Sequence, residues 1–243
     1  MKCLIIAAGK GKRLSNICNC KPLIPVYGTA LIERVITYAH IAGITQFFVV
    51  IGYNAEKVKN HLNSISKREK IKIHFIYNNK WNKENGVSVL KAKNHMKEKF
   101  VLLMADHIFD PNILLKLKNQ YIQQGEIILA VDSNTINNPY VDIEDVTKVQ
   151  VENGLIVNIG KNIKNFNAFD TGIFLCTNSI FRALQKSIQA GDSTLSGGIR
   201  ILASNKKARV IEINDGFWID VDDEKALQKA EHIIQTQKNS YSK

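Results

Sequence analysis

Short apolar runs alternate with amphipathic segments from the start of the chain. Residues 3–7, 46–51, 71–77, 100–104 and 127–131 are apolar runs of the length expected for buried strands. Between them, residues 30–42, 56–65, 87–96 and 113–123 carry apolar side chains at three- and four-residue spacing, the period of a helix with one buried face. Strands apolar on both faces, separated by helices, predict a mostly parallel sheet covered on each side. Asp110-Pro111 predicts a helix start, with Asp as cap and Pro at the first helical position.

After about residue 133 the pattern changes. Residues 146–151, 155–159 and 169–176 read as strands joined by short turns, and Glu152-Asn153-Gly154 is a hairpin signal. Residues 178–188 and 194–203 read as helices, followed by a strand at 209–213 and a last helix at 224–237. The expected fold is α/β: a doubly wound, mostly parallel (Rossmann-like) sheet with a smaller α+β portion in the C-terminal half.

Composition narrows the function classes. The chain has 243 residues, 45% of them hydrophobic and 23% charged, which excludes a disordered tail or a fibrous repeat. The longest stretch without Asp, Glu, Lys or Arg, residues 35–55, contains His40, Gly43, Gln46, Gly52 and Asn54, and reads as a helix end, a turn and a strand. No membrane insertion is expected. At the N-terminus the apolar run precedes the basic residues, the reverse of a signal peptide. Four scattered cysteines, Cys3, Cys18, Cys20 and Cys176, make no disulfide framework. A reduced, cytoplasmic setting is expected.

Thirty-three Lys and Arg against 22 Asp and Glu leave a net charge of +11. Such a balance admits nucleic acid, an anionic membrane or a small polyanion as partner. Its distribution favours the last. Residues 1–32 hold Lys2, Lys10, Lys12, Arg13 and Lys21 without one acid, whereas elsewhere bases and acids are interspersed. This charge surrounds Ala7-Ala8-Gly9-Lys10-Gly11-Lys12-Arg13-Leu14, directly after the first strand, where glycines let backbone N–H groups approach an anion. The loop is neither a dinucleotide fingerprint, because Leu14 stands where the third glycine belongs, nor a Walker loop, because Arg13 and not Ser or Thr follows Lys12. Beyond it, the prolines of Lys21-Pro22-Leu23-Ile24-Pro25 hold an extended segment able to return the Lys21 ammonium to the same loop.

The glycine loop followed by Lys21-Pro22-Leu23 resembles the nucleotidyltransferase superfamily that makes nucleotide sugars and CDP-alcohols. Further stretches narrow the resemblance: Lys83-Glu84-Asn85-Gly86-Val87-Ser88, Ala92-Lys93-Asn94-His95, Met104-Ala105-Asp106-His107, Thr147-Lys148, Ile159-Gly160-Lys161, Phe169-Asp170-Thr171-Gly172 and Trp218-Ile219-Asp220-Val221-Asp222. Together they are most similar to CTP:inositol-1-phosphate cytidylyltransferases, over residues 3 to about 235. The resemblance implies one nucleotidyltransferase domain over 1–243, with a nucleotide-binding core at 1–132 and an acceptor-binding portion with the last helix at 133–243. It implies CTP and inositol 1-phosphate as ligands, Mg²⁺ as cofactor, and a functional link to a separate membrane synthase, to which the domain is fused in some members. A homo-oligomer stays open.

Individual residues then take expected roles. Asp106 follows a strand at the carboxyl edge where ligands of open α/β sheets bind, while Asp110 serves the helix cap. Alternation puts Asp220 and Asp222 on one face, and two hard oxygens from distant segments suit Mg²⁺ beside a triphosphate; the family comparison selects Asp220 as partner of Asp106. Asp222 and Asp223 are expected to start the last helix. His107, alternating with Asp106, is expected to pack or hydrogen-bond. In the resemblance, Ala8, Gly9, Gly11, Lys12 and Arg13 hold the triphosphate, Lys21 sits at the α-phosphate, and Asn85, Gly86 and Ser88 border cytosine and ribose. Lys161 is placed at the acceptor phosphate, with Lys148, Asp170, Thr171 and Gly172 toward the acceptor ring. Cys18 and Cys20 lack the partners of a zinc site. Rival readings are the same chemistry on choline phosphate or a sugar 1-phosphate, a nucleotide-binding regulator without turnover, and a nucleic-acid-binding protein, which would need an aromatic-basic stripe.

Overall fold

The computed structural model describes residues 1–136, 138–214 and 216–241. In chain order its elements are β1 (Lys2–Ala7), β2 (Pro25–Val26), β3 (Thr29–Ala30), α1 (Leu31–Ile41), β4 (Gln46–Ile51), α2 (Ala55–Glu69), β5 (Lys72–Tyr77), α3 (Asn85–Lys91), β6 (Phe100–Met104), β7 (His107–Phe109), α4 (Pro111–Lys118) and β8 (Ile127–Asp132). There follow β9 (Lys148–Glu152), β10 (Leu155–Gly160), β11 (Ala168–Cys176), α5 (Ser179–Gln189), α6 (Leu195–Ala203), β12 (Ala208–Glu212), β13 (Trp218–Asp220) and α7 (Glu224–Tyr241).

Nine strands form one sheet in the order β5-β4-β1-β6-β11-β8-β12-β10-β9. The first four are parallel, as the alternating pattern predicts. β11 runs antiparallel to both β6 and β8, because the chain re-enters the sheet from the opposite end after the β9–β10 hairpin. The sheet is therefore mixed, and strands from both halves of the chain share it. Alternate side chains face two cores. Ile5, Phe47, Val49, Leu103 and Ile173 pack under α1, α2 and α4, whereas Leu4, Phe48, Val50, Leu102 and Phe174 pack under α3, α5 and α6. A third cluster places Leu227, Ala230 and Ile234 of α7 on Leu14, Ile24, Val26, Ile108 and Ile219. It clamps the basic N-terminal loop against β7 and β13.

Local signals held where they were strong. Asp110 accepts the Asn112 N–H at 2.9 Å and caps α4. Asn153 and Gly154 both take positive φ, 50° and 74°, in the β9–β10 turn. Helix ends shifted. α2 runs on to Glu69 and stops at Lys70 with φ 54°. α3 occupies 85–91, earlier than the expected 87–96, and its Gly86 lies so close to the Ser193 and Thr194 backbone that a Cβ there would be 2.6 Å from the Ser193 carbonyl oxygen. α4 ends at Lys118, and the following residues turn toward Glu126, which accepts the Gln123 N–H. Among the described residues, no helix is long and apolar enough to cross a membrane.

Candidate active site

A cavity of about 710 Å³ opens beyond the carboxyl ends of β1 and β6. Its floor is charged. The chain leaves β1 with Ala8 buried, its carbonyl accepting the Tyr53 N–H at 2.9 Å. Gly9 reaches the cavity. A short 3₁₀ turn, Lys12–Leu14, then sinks Leu14 into the third cluster and sends Arg13 to the cavity wall. Gly11 has φ 66°, and a Cβ there would overlap the Lys21 side chain, so this glycine makes room for the lysine.

Lys21 is only 7% exposed. Its Nζ donates to Asp106 Oδ2 at 2.5 Å and to Asp222 Oδ1, and lies 3.8 Å from Asp220 Oδ1. Burial opposes the ammonium charge, but the three carboxylates outweigh it and raise the Lys21 pKa. Asp106 is held well below the usual range, against burial, by Lys21 and His107. His107 Nδ1 sits 2.9 Å from Asp106 Oδ1 and 3.7 Å from Asp220 Oδ1; the two carboxylates, working against burial, push its imidazole up to about 9. Alternation would have turned His107 away from Asp106. A two-residue turn, Ala105-Asp106, separates β6 from β7 and brings the two side chains together.

Asp220 differs from Asp106. Its side chain is partly open to the cavity, yet Oδ1 is sealed from solvent and has no hydrogen-bond partner. Burial, reinforced by Asp106, pushes its carboxyl up to about 7. Ligand atoms of Asp106, His107 and Asp220 all lie within 4.8 Å of one another. Asp222 is no helix cap: it pairs with Lys21 and Arg13, and Asp223 supplies the cap by accepting the Ala226 N–H at 2.8 Å.

The opposite wall carries Lys161, paired with Asp145 at 2.5 Å; Asp145 also accepts from Arg13 at 2.6 Å. Against the cost of burial, these two cations hold the Asp145 carboxyl down to about 2. Asp170 lines the cavity, accepts the Gly172 N–H at 2.8 Å, and is pushed up to about 6 by burial. Gly172 has φ 75°, and a Cβ there would lie 2.6 Å from His107 Cδ2. Gly172→Ala should therefore displace His107 and cost about 1–3 kcal/mol of stability in urea unfolding, with turnover falling further than stability.

Of the residues expected at the nucleotide, Gly9, Arg13, Asn85 and Ser88 line the cavity. Asn85 Oδ1 also accepts the Leu195 N–H, and Ser88 Oγ accepts from Asn78, so both are held from behind. Ala8 packs in the core, Gly11 backs Lys21, Gly86 packs on residues 193–194, and Lys12 is exposed outside the cavity. On the acceptor side, Thr171 faces the core and donates to the Ala130 carbonyl, because strand alternation reverses it relative to Asp170. Lys148 donates to the Lys161 carbonyl at 3.0 Å and lies over the Phe166 ring, behind the wall. The sequence reading missed Asp145, Lys225 and Lys229, which also line the cavity. Only the four-residue spacing of Lys225 and Lys229 on one helix face offered a signal; Asp145 sits in an acidic loop without a motif.

Residues 3–153 match the family of MobA-like NTP transferase domains. The chain is 30% identical over 240 residues, 95% of its length, to the bifunctional IPC transferase and DIPP synthase of Rubrobacter xylanophilus, covering 51% of that protein. The protein of the same name from Archaeoglobus fulgidus is 30% identical over 96% of this chain and 44% of its own length. The chain thus spans about half the length of these curated relatives. Among solved structures, the inositol-1-phosphate CTP transferase from T. maritima superposes with a TM-score of 0.83 at 23% identity, covering 96% of this chain and 94% of that one, a likeness of fold.

Proposed function

The chain belongs to the family of MobA-like NTP transferase domains, and on that premise we propose that it transfers the cytidylyl group of CTP to inositol 1-phosphate. The products are CDP-inositol and pyrophosphate. One observation carries the reaction type: the buried Lys21 ammonium meets Asp106, Asp220 and Asp222 on the floor of the cavity, beside Arg13. The substrate pair is supported by the IPC transferase named in relatives that align over nearly the whole chain.

In this reading an acceptor phosphate oxygen attacks the α-phosphorus of CTP as the bond to pyrophosphate breaks on the opposite side. A phosphate monoester is already anionic at neutral pH, so the nucleophile needs no general base. The task left to the protein is to bring two polyanions together and to stabilise charge on the transferring group. Arg13 and Lys21 hold the triphosphate, Lys161 holds the acceptor phosphate, and Asn85 and Ser88 border the nucleoside. Asp106 and Asp220 would hold a divalent cation, with Mg²⁺ suited to hard carboxylate oxygens beside phosphate. The sealed Asp220 Oδ1, which makes no hydrogen bond and has the Lys21 and His107 nitrogens no nearer than 3.7 Å, fits this assignment, because a buried acceptor of that kind calls for a closer cation or donor. When bound, the ion supplies Lewis-acid stabilisation of the charge on the phosphoryl oxygens.

The ligands are then small polyanions in a cavity and not nucleic acid along a track. CTP supply puts the reaction in the cytoplasm, and CDP-inositol would pass to a synthase, the second activity in the relatives' names. Pyrophosphate release, measured with each nucleoside triphosphate against inositol 1-phosphate, glucose 1-phosphate and choline phosphate, tests the pairing. CTP with inositol 1-phosphate should give a kcat/KM at least about tenfold above any other pair, because a site that pairs the cytosine amino group leaves polar groups unmatched with uracil. Robust turnover of choline phosphate or a sugar 1-phosphate, with inositol 1-phosphate inert, would overturn the acceptor assignment.

A further inference from the structure

Five charges of alternating sign run from the buried Lys21 along the cavity: Lys21, Asp222, Arg13, Asp145 and Lys161, each paired with the next. The three cations are those assigned to substrate phosphates. Asp222 joins the first two, both on the nucleotide side. Asp145 joins Arg13 to Lys161, and so joins the nucleotide side to the acceptor side.

We propose that Asp145 is a positioning residue that sets the spacing between the nucleotide anchor Arg13 and the acceptor anchor Lys161. The proposal rests on the functional assignment of those two cations. Its geometry is built into the loop. The Asp142 carbonyl accepts the Asp145 and Val146 N–H groups, and the Asp142 carboxylate accepts the Glu144 N–H, folding 142–146 into a fixed turn. One carboxylate oxygen then takes Arg13 Nη1 and the other takes Lys161 Nζ. Without it, two like charges on half-exposed side chains would repel and turn to solvent. Arg13 would still be held by Asp222, but Asp145 is the one ion-pair partner of Lys161 among the described residues. The loss should therefore fall on the acceptor side.

The test is steady-state kinetics of Asp145→Asn, Asp145→Glu, Lys161→Ala and the double variant Asp145→Asn/Lys161→Ala, with each substrate varied in turn. Asp145→Asn should raise the KM for the acceptor about tenfold, as expected for loss of one charge-assisted contact, and shift that for CTP less than about threefold. Asp145→Glu should recover part of the acceptor loss. The double variant should be no worse than Lys161→Ala, because a residue that acts through Lys161 has nothing to position once Lys161 is gone. Three results would overturn the proposal: a lowered acceptor KM, which would make the carboxylate a competitor of phosphate; losses that add in the double variant; or a collapse of the unfolding midpoint in Asp145→Asn, which would make the role structural. A wild-type protein inert toward inositol 1-phosphate would sink the substrate reading alone, and the same series would then be run with the phosphomonoester it does use.

Discussion

Asp106→Asn and Asp220→Asn should each lower turnover by roughly 10²–10³-fold with the fold intact, the scale seen when one preorganised electrostatic contact to a developing charge is removed. Each change keeps the side-chain shape and removes one negative ligand, so the Mg²⁺ concentration needed for half-maximal activity should rise in both. Stability separates the two. Asp106 gains from Lys21 and His107, and its folded carboxyl lies below the unfolded value, so Asn at 106 should destabilise at neutral pH. Asp220 is the opposite case. Its carboxyl is raised to about 7, so the folded state favours its protonated form; this contribution is present below an unfolded pKa of about 4 and is lost as pH rises toward 7. Asn at 220 stays neutral. Relative to wild type, Asp220→Asn should gain stability between about pH 4 and pH 7, measured by urea unfolding across that range. Near-normal turnover in either variant would remove that residue from the metal assignment.

Lys21→Met should cost both activity and stability. The methionine fills the same volume beside Gly11 but removes the ammonium shared by Asp106, Asp220 and Asp222, leaving only His107 on the first two and Arg13 on the third. Removing one partner of a buried ion pair costs about 3–5 kcal/mol, and the near-complete burial of Lys21 puts this site in that range. The sign with pH follows. Lys21 lowers the folded carboxyls of Asp106 and Asp220, so without it both rise, and the deficit of the variant should be largest at neutral pH and shrink as pH falls toward about 4. Turnover should fall at least about a hundredfold, because the same ammonium is assigned to the α-phosphate. A variant equally stable at neutral and acidic pH would show that Lys21 does not neutralise the cluster.

What was legible in the sequence was local. The strands at 46–51 and 100–104 fall where the apolar runs put them, because a strand buried on both faces needs such a run. The Asp110 cap and the Asn153-Gly154 turn were readable because each depends on neighbouring backbone geometry. Arg13, Lys21, Asp106 and Asp220 stand on short motifs that local sequence shows; Arg13, Asp106 and Asp220 line one cavity, and Lys21 is buried against Asp106. Sheet order was not legible: antiparallel β11 between β6 and β8 pairs segments dozens of residues apart, and nothing in residues 168–176 names those partners. The side each residue faces near a break was equally hidden, as His107 shows, because a turn resets the alternation that strands obey. Asp145 gained its place from docking alone, and Asp222, expected at the start of the last helix, gained its pairs with Lys21 and Arg13 in the same way. Hydrophobic periodicity records which side of an element is buried; it does not record which distant charge will meet it there, and that pairing was decided only when α7, the 142–146 turn and the N-terminal loop closed around the same cavity.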